Sequence, residues 1–121
     1  MKIAVCDYDS GSAAAIRDMV EHYCALYDLK ITPVRCIYSP AELQACGEYF
    51  DILYMGFGGG AGFNAARELR DRDKDCRIIM VDHTQEYAIR GLRLHCTDFI
   101  LRPVEFPHVV KSMKLATGGA L

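Results

Sequence analysis

Apolar residues in this chain gather into short unbroken runs, each followed by a longer stretch in which they recur at three- and four-residue intervals. "KIAVC" (Lys2 to Cys6) is the first run and predicts a buried strand. Ile16, Val20, Tyr23, Cys24 and Tyr27 then share one face of a helix, with Ser10 or Ser12 to cap it. "ITPVRCIY" predicts a second strand, and Pro33 puts it at a sheet edge because proline cannot donate to the ladder. "SPAE" (Ser39 to Glu42) has the spacing of a capping box and opens a short helix that ends near Cys46 and Gly47. "DILYM" (Asp51 to Met55) predicts a central third strand, and Phe63, Ala66 and Leu69 mark the helix after it. "RIIMV" (Arg77 to Val81) is the fourth strand. Tyr87, Ala88, Gly91 and Leu92 share a face of the fourth helix, which Gly91 weakens by about 1 kcal/mol relative to alanine. "DFIL" (Asp98 to Leu101) is the fifth strand, and Pro107 opens a last helix whose Phe106, Val109, Val110 and Met113 face the core.

Apolar strands alternating with helices predict an α/β domain, a parallel sheet covered on both faces with right-handed crossovers. Such a sheet places its site in the crevice beyond the carboxyl ends of its strands. The positions to read are therefore Asp7, Tyr8 and Asp9 after the first strand, Gly56 after the third, Asp82 after the fourth and Arg102 after the fifth.

Composition narrows the picture further. A length of 121 residues allows one domain with a real core. A net charge of −2 gives no broad basic surface, so no direct nucleic-acid contact and no anionic membrane is expected of this domain. No apolar run approaches the ~20 residues of a membrane span, and "MKIAVCDYD" turns acidic too early for a signal peptide. The expected location is the cytoplasm. Six cysteines are scattered without a CxxC pair and read as reduced, mostly buried thiols. His22 with Cys24, and His95 with Cys96, match no zinc spacing.

With "IAVCDYD", "FDILYM", "GFNAARELR", "RIIMV", "EYAIRGL" and "DFILRPV" in view, the chain resembles the receiver domain of bacterial two-component response regulators, most closely those joined to LytTR-type DNA-binding domains. The resemblance runs from Met1 to about Lys114. It implies a flavodoxin-like, doubly wound (βα)5 sheet of strand order 2-1-3-4-5, with a cis proline after the fifth strand. It also implies a receiver-like domain over residues 1–116, with 117–121 beginning a linker to a DNA-binding output domain. In that family acidic residues after the first strand hold Mg²⁺ and an aspartate after the third accepts the phosphoryl group. A serine or threonine after the fourth strand and a lysine after the fifth meet its oxygens. Here Asp7 and Asp9 keep acids, but Tyr8 replaces the second acid, Gly56 stands at the acceptor position, Asp82 at the hydroxyl position and Arg102 at the lysine position. Phe99 matches the aromatic that couples the site to the far face. Glycine has no nucleophile, so the resemblance implies an atypical module with no catalytic residue and with weak or absent Mg²⁺ binding. Its implied partners are the output domain, a sensor kinase, and a second copy through the fourth helix, fifth strand and fifth helix, where Arg90, Arg93, Lys111 and Lys114 accompany Asp98.

Five glycines fall within Gly56 to Gly62. "GFGGGA" fits the GxGxxA form of the dinucleotide fingerprint, with Asp82 near its ribose-binding acid, which makes Gly58, Gly59 and Gly60 a candidate anion-binding loop. That fingerprint normally follows a first strand, however, and this one follows a third. A small-ligand or nucleotide sensor using residues 56–62 is therefore the alternative to a contact module. Asp7, Asp82 and Arg102 should converge. Either Arg102 bridges one or both carboxylates, or the three are solvated charges on loop ends.

Overall fold

Each apolar run does form a strand, and each intervening stretch a helix, in a computed structural model that describes residues 1–118. The order is β1 (Ile3–Cys6), α1 (Ser10–Leu26), β2 (Arg35–Ile37), α2 (Pro40–Cys46), β3 (Ile52–Met55), α3 (Gly59–Arg72), β4 (Arg77–Asp82), α4 (Ala88–Arg93), β5 (Asp98–Leu101) and α5 (Phe106–Ala116). The five strands form one sheet of order β2-β1-β3-β4-β5, parallel throughout. This is the expected doubly wound topology. Thr117 and Gly118 follow α5 as a turn; the rest of the expected linker, 119–121, lies outside the described residues.

Strand side chains alternate between two apolar layers, as the period of two requires. Ile3, Val5, Ile52, Tyr54, Ile79 and Val81 pack with α1 and α5. Ala4, Cys6, Leu53, Met55, Ile78 and Met80 pack beneath α2 and α3. One polar contact crosses the first layer: Tyr54 Oη and Ser112 Oγ lie 2.6 Å apart, both buried. Ser112 Oγ donates its proton to Val109 O, so Tyr54 is the donor between them. Burial pushes the thiols of Cys76 and Cys96 up to about 12 and about 11, and all six cysteines are free.

The structure corrects several local expectations. Asp9, not Ser10 or Ser12, caps α1, because the helix begins at Ser10 and Asp9 is the last extended residue; its side chain accepts from Ser12 N at 2.8 Å. Tyr27 is the C-cap and partly exposed rather than part of the apolar face. Ser39 caps α2 as expected, but Glu42 reaches past it to accept from Tyr38 N. β2 is the predicted edge strand, though it starts only after Pro33. Leu92 is 70% exposed, not a core residue. Gly91 is the buried residue of the six-residue α4, next to Met80 and Cys96, and Leu92 lies at the edge of that contact. Buried Arg70 of α3 secures the far end of α4 by donating to Leu94 O and His95 O.

Candidate functional site

Parallel register brings the residues that follow four strands to one edge. Cys6 pairs with Met55, Met55 with Met80, and Asp82 with Leu101. Asp7 and Gly56 therefore stand level, with Asp82 one position and Arg102 two positions further along their strands, and Asp7 and Asp82 are buried there. Asp7 Oδ1 accepts from Asp9 N at 3.0 Å, and Oδ2 accepts from Arg102 Nη2 at 2.7 Å. The same Nη2 donates to Gly56 O at 3.0 Å. Asp7 and Arg102 side chains keep only 7% and 14% of their exposure, so this is a largely desolvated pair, unlike a surface ion pair.

Arg102 thus bridges to one carboxylate, not two. Asp82 belongs to a different arrangement: Oδ2 accepts from Gly59 N at 2.8 Å and Oδ1 from His83 N at 2.7 Å. Gly59 is the first residue of α3, so Asp82 places its negative charge at a helix N-terminus, where unpaired amides and the helix dipole favour it. The approach depends on Gly58, whose φ is +75° and whose Cβ, if present, would lie 3.2 Å from Asp82 Oδ1. An amide of the candidate anion-binding loop is therefore taken by a carboxylate of the same chain, and Asp82 has both oxygens engaged. Gly58 is explained by that contact, Gly59 by its φ of +56°, and Gly60 by the close approach of Tyr87 Oη.

Gly56 is the tightest point. A Cβ there would stand 2.6 Å from Cys6 O and 2.9 Å from Arg102 Nη2. The guanidinium lies where a side chain from the end of β3 would begin. Magnesium demands several oxygen ligands in near-octahedral geometry, and these residues do not fit it. Both Asp7 oxygens are engaged, one by a cation, and the next residue offers a phenol ring instead of a carboxylate. Among the described residues no group of three His, Cys, Asp or Glu side chains could hold a metal ion.

The remaining expected residues are spread around this centre. Tyr8 is 54% exposed, and its ring packs on Phe57 in a tilted pair with centroids 4.8 Å apart. The hydrogen bond from Ser12 N holds the exposed Asp9 carboxyl below the usual aspartate range. Phe99 faces the other way, into a small apolar cavity of about 290 Å³ that Met80, Ile89 and Leu92 also line. Arg90 does not stand free on that side: its guanidinium carbon is 5.5 Å from the Tyr87 ring centroid and 6.0 Å from that of Phe63.

Asp7, Tyr8, Asp9, Gly56 and Arg102 all line one cleft of about 580 Å³. Sequence reasoning missed its other wall, made by Ala15, Ile16 and Met19 of α1 and by Val104 beyond the cis Arg102–Pro103 bond. The crevice rule points only to residues that follow strands. The available signal was the spacing of Ala15 and Met19, four apart on the helix beginning just after Asp9.

No protein-family model matches the chain, and no curated protein does. Solved structures match at low identity. The response regulatory domain of protein mrkE from Klebsiella pneumoniae superposes with a TM-score of 0.82 at 12% identity, covering 98% of this chain and 97% of that one. A response regulator receiver domain protein from Clostridium thermocellum gives 0.77 at 17%, covering 98% and 94%. The response regulator DrrB of Thermotoga maritima, an OmpR/PhoB homolog, gives 0.79 at 14%. That match takes 98% of this chain but 52% of DrrB, so the chain spans about half the length of that relative. The fold is that of response-regulator receiver domains.

Proposed function

We propose that this chain is an atypical receiver module of two-component signalling, of the LytTR-associated kind, acting in the cytoplasm on an attached DNA-binding output domain. It works by protein contact and not as a phosphoacceptor or an enzyme. One observation carries this reading: Arg102 occupies the space in front of β3, 2.9 Å from where a side chain at Gly56 would start, and is paired with the buried Asp7. Gly56 offers no nucleophile there, and the guanidinium stands where the side chain of one would begin. Asp82 is a poor substitute, because Oδ2 accepts from the first amide of α3 and Oδ1 from His83 N, and their charge repels an approaching phosphate.

The contact surface in this reading is the face of α4, β5 and α5, with a second copy as partner. Ile89, Leu92, Leu101 and Leu115 are 74%, 70%, 42% and 50% exposed there, beside the Lys111–Asp98 ion pair. Among the described residues no helix is long and apolar enough to cross a membrane.

The test is incubation with acetyl phosphate and Mg²⁺ followed by intact-mass spectrometry. The wild type is expected to stay unmodified. So is Gly56→Asp, because the new Cβ meets a backbone carbonyl at 2.6 Å, and the variant should lose about 1–3 kcal/mol of stability. A phosphoryl adduct on the wild-type chain would overturn the reading.

A further inference from the structure

Arg102 makes both of its protein contacts through one nitrogen. Nη2 donates to Asp7 Oδ2 and to Gly56 O, which uses its two hydrogens. Nε and Nη1 keep three N–H donors, and they have no acceptor among the described residues. Neither atom is sealed off from solvent, and Arg102 lines the cleft. Three of the five donors of this largely desolvated guanidinium are thus left to water or to an acceptor brought into the cleft.

The facing wall makes a different demand. Ala15, Met19 and Val104 offer aliphatic surface, and the Tyr8 ring, propped on Phe57, forms the rim. At about 580 Å³ the cleft has the volume of a small-molecule site, with apolar walls and a few placed donors.

Charge then selects the class of molecule. Arg102 neutralises Asp7, and Asp9 retains a carboxylate at the rim. An anion in the cleft would face the Asp9 carboxylate as well as a guanidinium whose charge Asp7 already balances, and His83 is the other titratable side chain on the lining. A cation would meet the guanidinium itself. An uncharged molecule with a carbonyl at one end and a flat apolar body answers both walls. We propose that this cleft binds a neutral aromatic amide, ketone or lactone, its carbonyl accepting from the free Arg102 donors and its body lying against Tyr8, Ala15, Met19 and Val104. Gly56 and Gly58 border the cleft, but the anchor proposed is the Arg102 guanidinium and not the loop amides, and the proposal rests on the reading that the cleft performs no phosphoryl chemistry. Binding there would supply the input that a contact module without a phosphoacceptor needs.

Benzamide and benzoate, equal in size and different in charge, are the probes. Titrated into the ¹⁵N-labelled chain, benzamide is expected to shift the amides of Tyr8, Ser12 and Gly56 and the Nε–H of Arg102. The Kd should be on the order of a few mM, as its size allows. Benzoate should bind about tenfold more weakly, the effect of one like charge near a protein surface. Ala15 is exposed on α1, so Ala15→Trp fills the cleft without disturbing the core. It should abolish the benzamide shifts and leave the rest of the spectrum unchanged. Absence of shifts, shifts confined to another surface, benzoate binding as tightly as benzamide, or persistence of binding in Ala15→Trp would each overturn the proposal. These outcomes leave the phosphoryl-transfer result untouched, so the two readings fail separately.

Discussion

A single nitrogen of Arg102 ties the end of β5 to Asp7 and to the carbonyl of Gly56. Removing one partner of such a pair leaves the other charge desolvated and unmatched, which costs far more than removing both. Arg102→Met should therefore lower stability by about 2–4 kcal/mol, whereas Asp7→Leu combined with Arg102→Met should recover most of that loss; chemical denaturation of the three proteins measures both. Asp9 makes a prediction in pH. The amide of Ser12 holds its folded pKa below the ordinary aspartate value, so the folded chain binds fewer protons than the unfolded one between those two values. The stabilisation is complete above about pH 4 and is lost as pH falls through the folded pKa. Asparagine caps helices about as well but does not titrate. The difference in melting temperature between wild type and Asp9→Asn should narrow from about pH 6 to about pH 3.

Among the elements, α3 and α4 show how differently glycines can be used. At the start of α3, Gly58 allows a conformation and an approach to Asp82 that a side chain would obstruct. In α4, Gly91 has no such duty: a Cβ there would meet Met80 Cγ at 3.7 Å and Cys96 Sγ at 3.8 Å, ordinary contact distances. Helix propensity then decides the outcome. Gly91→Ala should stabilise the protein by about 0.5–1 kcal/mol, seen as a rise in melting temperature. A fall would mean that α4 is packed more tightly against β4 than these distances indicate.

Across the whole molecule, the sheet divides two apolar layers and leaves its site at the carboxyl edge, while Ile89, Leu92, Leu101 and Leu115 stand exposed on α4, β5 and α5. Burying Ile89 and Leu92 against a second copy would release apolar surface from water, the main favourable term in association. If this face forms the homodimer, sedimentation of the chain should show concentration-dependent dimers. Leu92→Glu should weaken them by at least about tenfold without altering the monomer fold, since Leu92 touches water already. A wild-type chain that stays monomeric at high concentration would remove the dimer from the functional reading.

Alternation of strand and helix patterns was enough to give five parallel strands, two covered faces and an edge position for β2, because backbone periodicity is a local property written in residue order. The same order put Gly56, a residue without a nucleophile, at the end of β3. It could not say where α1 is capped, since Asp9, Ser10 and Ser12 are all good caps and only the backbone angles separate them. Nor could it choose between the carboxylates for Arg102. Asp7 and Arg102 lie 95 positions apart, and Asp82 was drawn away by an amide of the glycine loop. Pairing of that kind depends on distances of a few ångströms between groups from different strands. Only the assembled sheet sets those distances, and only the packing of α1 beside it gives the cleft an apolar wall.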